Sequence, residues 1–197
     1  MEEKMLSIII PDINYKVIHK PSPIYPKNED VLYFDGCSKG NPGPSGIGAV
    51  LYRNTIEHWS DSKYIGNKRT NNEAEYCALI MGLEEAIRSN IKKLSVCGDS
   101  LLVINQVNGV YKVKHVNLIP LYERVIELKT QFKNIDFTHV YRNENKRADQ
   151  LSNIALELIN REIYDNLIKD SSTSTNTITS DNNLNKKSFL PNINAKY

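Results

Sequence analysis

From Val31 to Gly36 the chain runs through β-branched, apolar and aromatic residues and ends on a carboxylate. A period of two sets Val31, Tyr33 and Asp35 on one face of a strand and Leu32 and Phe34 on the other, so Asp35 is expected to leave the sheet at its rim. The stretch Cys37 to Gly46 is rich in Gly and Pro and is predicted to be neither helix nor strand. Ile47 to Arg53 and Ile56 to Tyr64 read as two further strands, with Asn54-Thr55 turning between them, which makes the first three strands an antiparallel meander.

The period then changes. Thr70-Asn71-Asn72-Glu73 has the form of a capping box, and a long helix is predicted from there to about Asn90. Glu75 shares a face of that helix with Ala78, Leu79, Gly82 and Ala86, the stripe that should pack on the sheet. A carboxylate there is costly unless something pairs with it, and the alternative is a rim acid that turns out to water. Leu94 to Asp99 is a fourth strand reached by a helical crossover, hence parallel to its partner. Asp99-Ser100 opens a short helix, Leu101 to Asn108, that Gly109 terminates. After a connector holding Lys112, Lys114 and His115, Pro120 fits the first turn of a helix with Leu121, Val125, Leu128 and Phe132 on one face. Ile135 to Tyr141 is the fifth strand. Asn143 is the expected cap of a last helix with the stripe Ala148, Leu151, Ala155 and Leu158, and Asp149 lies beside that stripe.

The ends differ from this middle. Residues 1–29 carry Pro11, Pro21, Pro23 and Pro26 and read as a mostly irregular N-terminal extension, in which Ile8 to Ile10 or Tyr15 to Ile18 could add an edge strand. Residues 163–197, with a Ser/Thr/Asn tract from Ser171 to Ser180, read as a disordered tail, which leaves 30–162 as the folded domain. The chain's 197 residues, 40% hydrophobic and 24% charged, suit one core, and a net charge of +2 identifies no nucleic-acid partner by itself. Cys37, Cys77 and Cys97 are odd in number and lack metal-ligand spacing, which points to an intracellular, reducing compartment and to packing roles. No apolar run approaches the roughly 20 residues of a membrane span.

If the first and fourth strands are neighbours, Asp35 and Asp99 stand side by side at the carboxyl edge of the sheet, where open α/β sheets place ligands. Two carboxylates in contact raise the pair's pKa or recruit a cation. With Glu75 and Asp149, acids then arrive at a strand end, a helix, a second strand end and a second helix. Tyr33-Phe34-Asp35-Gly36 with its Gly/Pro loop, Thr70 to Glu75, Gly98-Asp99-Ser100 and Asn143 to Asp149 together resemble ribonuclease H of type 1 over roughly residues 31 to 160. The direct run from Asn108 to Pro120 resembles compact members that lack the basic protrusion.

That resemblance implies an α/β fold with a five-stranded mixed sheet, order 3-2-1-4-5, flanked by helices. It further implies a hydrolase for the RNA strand of RNA/DNA hybrids that leaves 5′-phosphate and 3′-hydroxyl ends and acts as a monomer. Asp35, Glu75, Asp99 and Asp149 match the family's carboxylates for two Mg²⁺ ions, with Mn²⁺ a possible substitute and Asp35 expected to bridge both. Hard Mg²⁺ prefers such oxygens, and two ions about 4 Å apart can serve both the attacking water and the leaving oxygen. His139 matches a mobile histidine that assists proton transfer or product release, a role an arginine such as Arg142 takes in compact members. Otherwise His139 is a solvated strand-edge residue, and Arg142 and Lys146 are solvated cations.

By the same resemblance Asn71 and Asn72 reach across the minor groove, and backbone groups of Gly36, Cys37, Ser38, Lys39 and Gly40 meet the RNA. Thr70 with Lys68 and Arg69 suits a DNA-strand phosphate, whereas Leu101 replaces a polar residue and removes one RNA contact. The competing readings are a non-catalytic binding module, which four acids facing phosphates disfavour, and a related integrase, transposase or exonuclease.

Overall fold

The computed structural model describes residues 30–173. Five strands form one sheet: β1 (Asp30–Ser38), β2 (Gly43–Arg53), β3 (Ile56–Arg69), β4 (Lys93–Gly98) and β5 (Asn134–His139). Their order is β3-β2-β1-β4-β5, with β1–β2 and β2–β3 antiparallel and β1–β4 and β4–β5 parallel. Helices α1 (Asn71–Arg88), α2 (Leu101–Val107), α3 (Ile119–Lys129) and α4 (Lys146–Thr173) complete the fold, with a 3₁₀ turn at Arg142–Glu144. The expected α/β fold with order 3-2-1-4-5 is the one observed.

Alternation along β1 builds two cores rather than one. Leu32 and Phe34 join Leu79, Leu83, Val96 and Val125 in the larger cluster, which α1, α2 and α3 cover. Val31 and Tyr33 join Val50, Tyr52, Cys97, Ala148 and Leu151 in the smaller cluster, beneath the first turns of α4. Both faces of β1 are therefore dry, which makes it the central strand.

The local signals hold at several junctions. Asn54 and Thr55 both take positive φ, 52° and 67°, as a tight two-residue hairpin requires. The capping box at Thr70 and Glu73 is formed. Gly109 ends α2 at φ 77°.

Other boundaries move. The segment after Asp35 is not all loop, because β1 continues to Ser38 and β2 begins at Gly43, with Cys37 opposite Gly46 and Ser38 opposite Ser45. Consequently Asp35 is buried within β1 rather than leaving at its end. What does end there is the parallel ladder to β4, whose last pair is Phe34 with Gly98. Asn143 is not the cap of α4, since it lies within the 3₁₀ turn and the helix starts at Lys146.

The compact unit that holds the sheet ends at Asn160. From Arg161 the backbone of α4 continues as helix to Thr173, so the stretch from Ile163 is not all irregular. That stretch holds neither Gly nor Pro before Thr173, and helix propagation costs far less than nucleation. The N-terminal extension at 1–29 and the remainder of the tail lie outside the described residues. No helix among the described residues is long and apolar enough to cross a membrane.

Candidate active site

Three of the four acids meet where the β1–β4 ladder stops. One carboxylate oxygen each from Asp35, Glu75 and Asp99 lies within 4.8 Å of the others. Asp35 comes from β1, Asp99 follows β4 directly, and Glu75 comes from the second turn of α1. Gly36 is what lets α1 come so close. A Cβ built on Gly36 would stand 2.2 Å from the backbone nitrogen of Glu75, so any side chain there would push the helix away. The Gly36 N–H instead donates to the Glu75 carboxylate at 3.2 Å.

Glu75 does not turn out to water, for it is only 5% exposed, and Asp35 is 6% exposed. Among the described residues none of the three acids makes an ion pair. Burial pushes the Asp35 carboxyl up to about 6, with a bond from Ser152 opposing the rise and Asp99 and Asp149 adding to it. Glu75 is driven well above the usual carboxylate range, first by burial and then by the charges of Asp35 and Asp99.

Asp149 stands apart from this group. Its Oδ1 accepts two bonds from the Arg142 guanidinium, from Nε at 3.1 Å and from Nη2. Arg142 thus serves as a built-in counterion for the fourth acid. His139 ends β5 with Nε2 3.3 Å from the Asp99 carbonyl oxygen, its ring edge-on to Tyr141 at 5.9 Å.

The residues predicted to bind substrate form a rim beside the cluster. The Ser38 hydroxyl donates to the Arg69 carbonyl at 2.9 Å, and Ser45 does the same at 3.2 Å. Asn41 Oδ1 accepts the Asn71 N–H at 3.1 Å. The turn from Lys39 to Pro42 and the start of α1 are thereby tied into one edge, with Lys39, Gly40, Lys68, Arg69 and Asn71 exposed and Cys37, Ser38, Thr70 and Asn72 half-buried. Gly36 differs, being buried with its N–H engaged by Glu75. Thr70 is also engaged, since its hydroxyl donates to Glu73 at 2.8 Å and accepts the Glu73 N–H at 3.3 Å.

Two buried residues without an expected role hold the acids. Asn145, 1% exposed, donates through Nδ2 to the Phe34 carbonyl and to Asp99 Oδ1, each at 2.9 Å. Ser152, fully buried, donates its hydroxyl to Asp35 Oδ2. Each had a signal in the sequence, because Asn145 lies one helical turn before Asp149, and Ser152 interrupts the apolar stripe of Ala148, Leu151 and Ala155.

The donor set fits a hard divalent cation. Three converging carboxylates, two of them buried and none ion-paired among the described residues, offer only oxygen and an excess of negative charge. A sheet of this order with acids at the end of its paired parallel strands defines a class of proteins built around an acidic centre.

Comparison with known proteins narrows that class. The family model described as reverse transcriptase-like matches residues 33–155. A ribonuclease H from Syntrophus aciditrophicus is 32% identical over 143 residues, covering 64% of this chain and 80% of that protein. The bifunctional protein Rv2228c of Mycobacterium tuberculosis is 42% identical over 130 residues, covering 64% of this chain but 35% of the other. The chain thus spans about a third of the length of that mycobacterial relative. The solved N-terminal RNase H domain of Rv2228c superimposes with a TM-score of 0.66 at 38% identity, covering 69% of this chain and 99% of that one. LC11-RNase H1, solved in complex with an RNA/DNA hybrid, gives 0.63 at 36% identity over 66% of this chain and 99% of that one. The chain belongs to the ribonuclease H family.

Proposed function

We propose that this chain hydrolyses the RNA strand of RNA/DNA hybrids at a two-metal centre formed by Asp35, Glu75, Asp99 and Asp149. The observation that carries the reading is the meeting of Asp35, Glu75 and Asp99 within 4.8 Å, with none of the three ion-paired among the described residues. Such a cluster repels a phosphodiester unless divalent ions are present, so binding of ions and binding of substrate are coupled. When bound, paired Mg²⁺ ions would activate the attacking water and stabilise the leaving 3′ oxygen, giving 5′-phosphate and 3′-hydroxyl products. Mn²⁺ suits the same oxygen donors.

The protein's own contribution is placement. Gly36 holds Glu75 by a backbone bond, and Asn145 holds Asp99. Arg142 neutralises Asp149 in the ion-free protein, and an ion held at that carboxylate would leave the guanidinium available to a phosphate. His139, anchored on the Asp99 carbonyl, is placed to carry a proton at the edge of the site or to help product leave.

On the rim, Asn71 and Asn72 with the backbone from Cys37 to Gly40 reach the minor groove, while Lys68, Arg69 and Thr70 contact the DNA-strand phosphates. The Gly36 N–H serves the site through Glu75 rather than through substrate. We place the catalytic unit at residues 30–162, acting as a monomer in a reducing, intracellular compartment.

The test is cleavage of a labelled hybrid, a DNA duplex and an RNA duplex side by side in Mg²⁺, with Asp99→Asn as control. Hybrid-selective cleavage that Asp99→Asn abolishes is expected. Equal cleavage of all three duplexes, or none of the hybrid, would contradict the reading.

A further inference from the structure

We propose that Ser152 is a positioning residue that fixes the Asp35 carboxylate in the orientation that faces Glu75 and Asp99. The inference rests on the metal-centre reading above and adds to it a residue on α4 outside the four acids.

Ser152 is fully buried beside Ala148, Leu151 and Ala155, where an alanine would fill the same space and require no partner. Burying a hydroxyl without a hydrogen bond costs roughly 1–3 kcal/mol, so the choice of serine has to be recovered by what the hydroxyl contacts. Two oxygen acceptors lie within its reach, Asp35 Oδ2 and the Asp149 carbonyl at 2.9 Å, beside the Cys37 sulfur, which is only a weak acceptor. The carbonyl is the one that a serine within a helix ordinarily finds one turn back. A hydroxyl carries a single proton, and the carboxylate is the stronger acceptor, because charge-assisted bonds are about twice as strong as neutral ones.

The backbone of Ser152 is itself immobilised on β2. A Cβ added at Gly46 would lie 2.3 Å from the Ser152 carbonyl oxygen, and one at Gly48 would lie 2.5 Å from the Ser152 nitrogen. The two strand residues are bare so that this turn of α4 can rest directly on the strand. Gly48 is also the register partner of Asp35. The packing that seats α4 on β2 therefore sets the Ser152 hydroxyl over the Asp35 carboxylate. With Oδ2 held from this side, the carboxylate cannot rotate away from the acidic centre as the other acids repel it.

The experiment measures Mn²⁺ binding calorimetrically on the full chain without nucleic acid, for the parent, Ser152→Ala and Ser152→Thr. Thermal unfolding in chelator and hybrid cleavage are followed in parallel. Ser152→Ala is expected to bind Mn²⁺ about tenfold more weakly, the usual loss when a partner that orients a ligand is removed. At Mg²⁺ concentrations that saturate both proteins its KM for hybrid should match the parent's, the activity loss should be confined to subsaturating Mg²⁺, and Ser152→Thr, which keeps the hydroxyl, should recover most of the affinity.

An alanine variant that binds within about twofold of a parent that does bind Mn²⁺ overturns the proposal and leaves the metal centre standing. So does an affinity loss that a folded Ser152→Thr does not recover, which would mark Ser152 as packing. Should the threonine variant fail to fold, the alanine variant decides by the same criteria. A parent that binds no Mn²⁺ refutes the metal-centre reading itself.

Discussion

Glu73 and Glu75 lie on the same helix, two residues apart and both shut off from solvent, 4% and 5% exposed, yet Glu75 lies much deeper in the protein and their electrostatic situations are opposite. Glu73 receives the Thr70 N–H and hydroxyl, both at 2.8 Å, and the Arg69 guanidinium at 3.3 Å. Burial works to raise its carboxyl, but the bonds from Thr70 and Arg69 prevail and hold it below the usual range. Glu75 receives one backbone N–H and faces two other acids, and its carboxyl is driven far upward. Depth of burial and the supply of donors therefore act together: the shallower carboxylate has donors enough to offset its burial and the deeper one does not. The fold provides partners generously at the helix cap and withholds them one turn later, and the place where they are withheld is where a cation from outside has most to gain. Asp149 falls between the two, because it carries a cation of its own in Arg142.

The most drastic way to break this contrast is to remove a charge from the deprived side. Asp35→Asn is expected to lower Mg²⁺-dependent hybrid cleavage at least about a thousandfold, the scale of losing several kcal/mol of metal-assisted stabilisation of the transition state. Single-turnover cleavage at saturating enzyme measures it. Near-parental activity in that variant would mean that the acids face something other than a catalytic cation.

The same substitution should act on stability with the opposite sign. The Asp35 carboxyl stands at about 6 in the folded chain against 3.8 for an unperturbed one, so between these values the native state holds the extra proton. Stability of the ion-free protein then falls as pH rises from about 4 to 6 and stays lowered above that window. Asp35→Asn removes this penalty, which leads us to expect that the variant in chelator is more stable than the parent at pH 7 by about 1–3 kcal/mol. The gap should close toward pH 4. Urea unfolding at several pH values tests this, and a variant less stable than the parent at pH 7 would show that the bond from Ser152 outweighs the cost of burying the Asp35 charge.

Arg142 allows the contrast to be sharpened from outside the cluster. Its charge lowers the carboxyls of both Asp35 and Glu75, and it neutralises Asp149, so it competes with any bound cation. Its side chain is 76% exposed, so the effect is screened by solvent and salt. Arg142→Ala should tighten Mn²⁺ binding in the absence of nucleic acid about fivefold at low salt, with the gain shrinking as salt is added. Calorimetric titration at two ionic strengths measures it. A weakened affinity would mean that Arg142 organises the site rather than substituting for an ion.

Local signals carried most of the fold and the four acids. The β-branched, apolar and aromatic run from Val31 announced the strand β1, and Thr70 with Glu73 announced the start of α1, because each depends on neighbours close in the chain. What escaped depends on contacts between distant segments. Gly and Pro around residues 37–46 read locally as loop, but Gly46 and Gly48 are bare because a helix more than a hundred residues later rests on β2. Asn145 and Ser152 are marked in the sequence only by their places, one turn before Asp149 and within the apolar stripe, and their roles arise only once α4 lies across β1. Asp149 was legible as an acid near a core boundary, whereas its pairing with Arg142 depends on the 3₁₀ turn that displaces the start of α4 to Lys146.

The smallest effect is the mirror of the Asp35 experiment, on the side of the helix where partners are plentiful. Glu73→Gln keeps the shape of the capping box but replaces a carboxylate that accepts from Thr70 and Arg69 with a neutral amide. Because the folded carboxyl lies below its unfolded value, Glu73 contributes stability above the unfolded pKa and loses it as pH falls through the folded one. Glu73→Gln should therefore cost about 0.5 kcal/mol at pH 7, the difference between a charged and a neutral acceptor at a helix N-terminus, and the deficit should fade in acid. Asp35→Asn gains stability at neutral pH and Glu73→Gln loses it, though both replace a buried carboxylate with an amide. Mn²⁺ separates them further, since its affinity should be unchanged in Glu73→Gln and collapse in Asp35→Asn. If both variants instead shift stability in the same direction with pH, burial rather than the supply of partners governs these acids, and the division of α1 into a satisfied cap and a deprived active turn fails.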